Sequence, residues 1–184
     1  MQQLFTKIIT TPSNIVPFAD IAAADAGVAV VGKQLGKSVG ELFNGSLAIR
    51  QVDAGSDNAC EHELNALTNA FYDIGRFGIH FVASPRHADM LMVTGPVTRN
   101  MTDALLSAYN STPTPKIIVA VGDDAIDGGL FKGSYATRDG VNEVIPVNYQ
   151  IPGDPPTPLV IMHSLLWILN HHVFDAHGNN DGKG

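Results

Sequence analysis

Aspartate is the residue best placed to do chemistry in this chain, and it recurs in three short Gly- or Pro-rich stretches. Residues 53–60 carry Asp53 and Asp57, residues 122–129 carry Asp123, Asp124 and Asp127, and residues 152–156 carry Asp154. Carboxylate oxygens suit hard cations and metal-assisted hydrolysis. The chain's single cysteine, Cys60, closes the first stretch. A lone cysteine is more often a small buried residue than a nucleophile, and of its sequence neighbours only His62 offers activation. His163, His171, His172 and His177 are loosely spaced, and the first two, near one helical side, make a weak metal pair. Residues 122–129 lack the lysine and Ser/Thr of a phosphate cradle, and their acids repel phosphate, so nucleotide binding is not expected.

Regular elements must bring these stretches together. Residues 47–52, 78–82, 90–93, 117–121 and 144–147 read as strands, the fourth an unbroken apolar run fit for burial on both faces. Residues 61–74 place Leu64, Leu67, Phe71 and Ile74 at helical spacing. Residues 98–109 do the same with Met101, Leu105 and Ala108, and residues 159–169 predict a closing helix. Strands alternating with helices imply an α/β, flavodoxin-like three-layer sandwich with a mostly parallel sheet. In such sheets sites form beyond the carboxyl ends of strands, where all three acidic stretches fall, so they are expected to converge. Residues 1–45 are rich in Ala, Gly and Val. They read as an N-terminal extension, either a helix capped by Asp20 or Asp25 and running to Phe43 or a flexible arm. Gly32, Gly36 and Gly40, four apart, would let another helix approach closely. The expected organisation is an arm over 1–45 that contacts partners, an α/β domain over 46–170 and a polar tail over 171–184.

The 184 residues suffice for one domain with a real core. A net charge of −7 excludes a nucleic-acid-binding face. Hydrophobic residues make up 45% and charged residues 16%, an apolar balance that suggests covered interfaces. No stretch is apolar enough to span a bilayer, and no signal-peptide pattern opens the chain. A cytosolic location is expected, with any membrane attachment coming through other subunits.

The runs Ser46-Leu-Ala-Ile-Arg-Gln-Val-Asp-Ala-Gly-Ser56, Arg76-Phe-Gly-Ile79, Ser84-Pro-Arg-His-Ala-Asp89, Val93-Thr-Gly-Pro-Val-Thr-Arg-Asn-Met101, Val121-Gly-Asp-Asp-Ala125 and Ile151-Pro-Gly-Asp-Pro-Pro156 occur in this order. They resemble the small-subunit family shared by complex I (the NADH–quinone oxidoreductases) and the membrane-bound [NiFe]-hydrogenases, and they look closer to the hydrogenase branch. That family holds a [4Fe–4S] cluster on four cysteines. Carried over, those positions fall on Asp57, Cys60, Asp124 and Asp154, so three of the four thiolates are replaced by carboxylates. Soft thiolates hold such clusters and carboxylates suit harder ions, so no stable cluster is expected. Three carboxylates close together raise each other's pKa. Compensation can come from a divalent cation at Asp57, Asp124 and Asp154 (with Cys60, His62 or Asp123 nearby), from arginine (Arg76, Arg86 or a partner's), or from protonation. The resemblance also sets Glu61 and Glu63 toward a large subunit, against the simpler reading of acids in a helix's first turn. It makes Arg86 and His87 interface residues.

The resemblance implies a hydrogenase-like large subunit, a ferredoxin-like subunit and membrane antiporter-like subunits as partners. The expected function is that of a structural subunit, not catalytic alone, which bridges the large subunit to ion-translocating membrane subunits. The alternative is an electron-transfer subunit with an altered iron–sulfur or mononuclear metal centre. A third reading is a free-standing hydrolase built on the Asp pocket.

Overall fold

Two apolar runs with no charge inside them form the middle of the sheet. β3 (Met90–Thr94) and β4 (Ile117–Val121) are buried at every position, as strands covered on both faces must be. The computed structural model describes residues 27–172. Its strands β1 (Leu47–Asp53), β2 (Ile79–Phe81), β3, β4 and β5 (Tyr149–Ile151) form one sheet in the order β2-β1-β3-β4-β5, with every pairing parallel. The chain steps outward from β1 to β2 and returns to β3, so the crevice where its direction reverses opens at the carboxyl ends of β1 and β3.

Alternate strand residues serve different helices. Leu47, Ile49, Met90, Met92, Ile117 and Val119 face one core, shared with α1 (Val28–Phe43), α2 (Ala59–Ala66) and α5 (Pro158–His171). Leu91, Val93, Ile118 and Ala120 face the other, shared with α3 (Thr102–Ser111) and the short α4 (Asp123–Asp127). The sandwich is therefore three-layered and flavodoxin-like, as the alternation implied.

The extension enters the core. Val31, Leu35 and Val39 of α1 are fully buried, so the described part of residues 1–45 is a helix packed on the domain and not a detached arm. Asp20 and Asp25, named as caps, lie outside the described residues, as do residues 173–184 of the tail. Of the three glycines on α1, two lie against Phe77, which ends a single 3-10 turn (Ile74–Phe77), and not against a long helix. A Cβ on Gly32 would fall 2.0 Å from the ring of Phe77, Gly36 lies against the Phe77 backbone, and Gly40 faces open space.

Two elements differ from the sequence expectation. The helix over 61–74 ends at Ala66, because side chains there bond backbone groups and compete with the helix. Thr68 Oγ1 donates to Asn65 O (2.8 Å), and Asn69 Oδ1 accepts from the backbone of Phe71 (2.8 Å) and Tyr72 (3.0 Å). Leu64, Leu67 and Ile74 are still buried, whereas Phe71 is 69% exposed. The strand expected at 144–147 begins instead at Tyr149. Pro146 has no N–H to give to a ladder, and Asn148 bonds β4 on both sides, donating to Ile118 O (2.9 Å) and accepting from Ile118 N (2.7 Å).

Candidate functional site

The turn after β1 is built by its own acids. Asp53 Oδ1 accepts from the N–H groups of Gly55 (2.7 Å) and Ser56 (2.9 Å), and Asp57 Oδ1 accepts from Ala59 N (2.9 Å). Asn58, at φ 77°, reverses the chain into α2. This brings Cys60, 7% exposed, beneath the loop that follows β4. The fit is close: a Cβ on Gly122 would meet Cys60 Sγ at 2.5 Å and Gly153 O at 3.5 Å. Gly122 also holds φ +92°, a conformation L side chains resist. The third loop is stitched to the second. Asp123 N donates to Gly153 O (3.0 Å), and Gly153 N donates to Asp123 Oδ1 (2.8 Å). The three acidic stretches thus meet at one point beyond the strand ends.

Charge at that point is unbalanced. The Cys60 thiol is pushed from its usual 9.0 up to about 12, first by burial and then by Glu61, Asp57, Asp124 and Asp154. Asp124 is raised by burial and by Asp154, partly offset by a backbone hydrogen bond from Leu130, with Asp57 and Asp123 adding to the rise. Asp57 and Asp154 are exposed at the rim. Among the described residues the ion pairs are Lys37–Glu41 and Lys132–Asp127, so neither reaches these three carboxylates. No group of three or more His, Cys, Asp or Glu among the described residues could hold a metal ion. The carboxylates are neighbours in charge and not a ready ligand set.

Beneath Cys60 lies a polar floor that sequence reasoning only half anticipated. Glu61 stands in the first turn of α2 but turns inward, 5% exposed. Ser56 Oγ donates to its Oε2 at 2.5 Å, and Thr94 Oγ1 donates to its Oε1. Its carboxyl group is therefore held by two hydroxyls, not by water at the helix end. Ser56 and Thr94 were not singled out from the sequence. The available signal was a threonine ending the apolar run of β3, at a position that is 0% exposed.

The other candidates lie apart from this point. Glu63 is half-buried, and exposed His62 lies 3.2 Å from Asn58 Nδ2. Arg76 lies over the Phe77 ring, 4.6 Å from its centre, in the turn before β2 at the opposite end of the sheet. Arg86 and His87 are exposed in a turn against α3. His163 is buried on α5, His171 stacks on Trp167 (4.2 Å), and His172 Nδ1 lies 3.0 Å from Tyr149 Oη. His177 lies outside the described residues.

A family model described as NADH ubiquinone oxidoreductase, 20 Kd subunit, matches residues 58–168, the stretch that contains the second and third acidic loops and all of α2. The chain belongs to that family. Formate hydrogenlyase subunit 7 of Escherichia coli is 38% identical over 138 residues, covering 75% of this chain and 54% of that protein. The chain thus spans about half the length of that relative. It spans more of membrane-bound hydrogenase subunit mbhJ of Pyrococcus furiosus, which is 40% identical over 140 residues, 74% of this chain and 84% of that one. The B subunit of NADH-quinone oxidoreductase from Bacteroides thetaiotaomicron is 44% identical over 110 residues, 59% of this chain and 56% of the relative. A chain in the structure of the membrane-bound sulfane sulfur reductase, an archaeal respiratory membrane complex, superposes with a TM-score of 0.60 at 31% identity, covering 68% of this chain and 69% of its own. The family's members thus include subunits of membrane-bound hydrogenase and complex I-like assemblies. None of the described helices here is long and apolar enough to cross a membrane.

Proposed function

We propose that this chain is a structural subunit of a membrane-bound, complex I-like or hydrogenase-related assembly, and that it holds no [4Fe–4S] cluster. Its place is between a hydrogenase-like large subunit and ion-translocating membrane subunits, on the cytoplasmic face, with a ferredoxin-like subunit among its partners. The observation that carries this reading is the donor set where the three loops meet. A cubane needs thiolates at its corners, and the chain has one cysteine in all. That thiol is pushed to about 12 and faces four carboxylates, Glu61, Asp57, Asp124 and Asp154. One sulfur among oxygen donors is a poor set for the soft irons of a cubane. These residues do not fit the group that the family resemblance implies.

On this reading the chain's residues position and do not react. Glu61, Ser56 and Thr94 fix the start of α2 to the end of β3, and Asp123 ties the second loop to the third. The face keeps its shape without a cluster to knit it. The deciding experiment is a density map of the intact assembly, prepared without oxygen. Density between residues 53–60, 122–129 and 152–156 is expected to show side chains alone. A cubane bounded by those loops would end the scaffold reading and leave the electron-transfer one.

A further inference from the structure

The most exposed large apolar side chains among the described residues are Leu130 and Tyr135, each 90% exposed, and Phe131 beside them is 41% exposed. All three lie in one excursion after α4, and that excursion is pinned. Arg99 Nε donates to Tyr135 O (2.5 Å), Arg138 N donates to Val97 O (2.8 Å), Gly133 N donates to Asp139 Oδ1 (2.7 Å), and Thr98 bridges Thr137. A loop tied down by this many bonds while holding Leu, Phe and Tyr toward water is built to be covered. Its position is the second observation. The N–H of Leu130 bonds the Asp124 carboxylate, so the apolar patch borders the carboxylates directly. Lys132, one of the segment's two cations beside Arg138, is committed to Asp127 at 2.8 Å.

We propose that residues 128–138, together with Asp57, Asp124 and Asp154, dock a partner subunit that sets a lysine or arginine side chain among the three carboxylates and packs apolar residues on Leu130, Phe131 and Tyr135. The inference rests on the subunit reading above and names the chemistry of the contact. Charge selects the occupant. A second copy of this face would set acid against acid, and an anionic lipid surface would be repelled. A free divalent ion finds no ligand set. A basic side chain flanked by apolar surface satisfies both halves of the patch.

The test uses the assembly isolated from its native host through a tag on this chain. The wild type is compared with L130D/Y135D, with D57N/D124N/D154N, and with N110D, which adds a charge on the outer face of α3. A photo-cross-linking residue at position 135 identifies what lies opposite. The proposal expects position 135 to capture a peptide of another subunit that carries lysine or arginine. It also expects both multiple variants to lower retention of that same subunit at least roughly tenfold, with N110D unchanged. The Asp→Asn variant keeps the shape of each side chain, so its loss reads charge and not folding. If the wild type retains its partners and both variants do too, or if the captured peptide is acidic or from a second copy, the docking proposal is overturned while the subunit reading stands. If the wild type emerges alone, both are overturned.

Discussion

Cys60 shows how much a single side chain reports about this site. Its thiol is shielded, and every charged neighbour that shifts it is an acid. A thiol that yields its proton later in the folded chain than in the unfolded one makes the fold favour the neutral form. The stability gained is whole below about pH 9 and drains as pH climbs toward about 12. Urea unfolding from pH 8 upward should therefore show stability falling across that window, and Cys60→Ala should flatten the slope. A slope unchanged in the variant would place the titration elsewhere. The polar floor gives a second prediction. Thr94→Val removes a hydroxyl from a carboxylate that water cannot reach to replace it, at a cost of about 1–3 kcal/mol. Ser56→Ala, nearer the surface, should shift the urea midpoint less. Ser56 was not legible in the sequence as part of the site, because serine in a turn is ordinary, and Thr94 left only the weak signal of a hydroxyl closing an apolar run. Only the inward turn of Glu61 gives them a role.

At the scale of elements, legibility followed burial. β3 and β4 could be read because burial on both faces demands an unbroken apolar run, although Leu165–Leu169 is as long and lies in α5, so length and flanking residues had to decide. The segment from Val144 to Val147 looks similar in composition, but Pro146 denies it a ladder bond, and the pairing moves on to the more polar Tyr149–Ile151. The helix over 61–74 failed for a different reason. Leu64, Leu67 and Ile74 do share one buried cluster, but a hydrogen-bonded turn brings Ile74 there, with its N–H on Leu67 O at 3.0 Å. Periodicity recorded the burial of these three correctly, but it also placed Phe71, 69% exposed, on the buried face and read the backbone wrongly. Small residues on α1 were read as a contact surface, and the contact is real at Gly32. Alanine there would gain about 1 kcal/mol of helix propensity but would press into the Phe77 ring, and overpacking costs about 1–3 kcal/mol. Gly32→Ala should thus be net destabilising in urea. Adding Phe77→Ala should cost less in that background than alone, and strict additivity would show that the ring moves aside freely.

For the whole molecule the same acids must serve two ends. Net charge is −7, and Asp124 resists losing its proton first because it is partly buried and then because the carboxylates gathered beyond the strand ends repel one another. Because its folded carboxyl titrates above the usual 3.8, it lowers stability as pH rises past that value, and the penalty is complete once it has ionised. Asp124→Asn keeps an oxygen for the Leu130 N–H and removes the repulsion. The purified chain carrying it should therefore be more stable than wild type at neutral pH, by about 0.5–1 kcal/mol. The two should converge at acid pH, where Asp124 is neutral in both states, and the gain should shrink in high salt. In the assembly the sign should reverse, with the same variant weakening retention of the subunit that covers the face. Residues that cost the isolated chain stability and help to hold the complex are shaped by a partner. A variant that is neutral in both settings would mean that Asp124 is only a solvated loop acid.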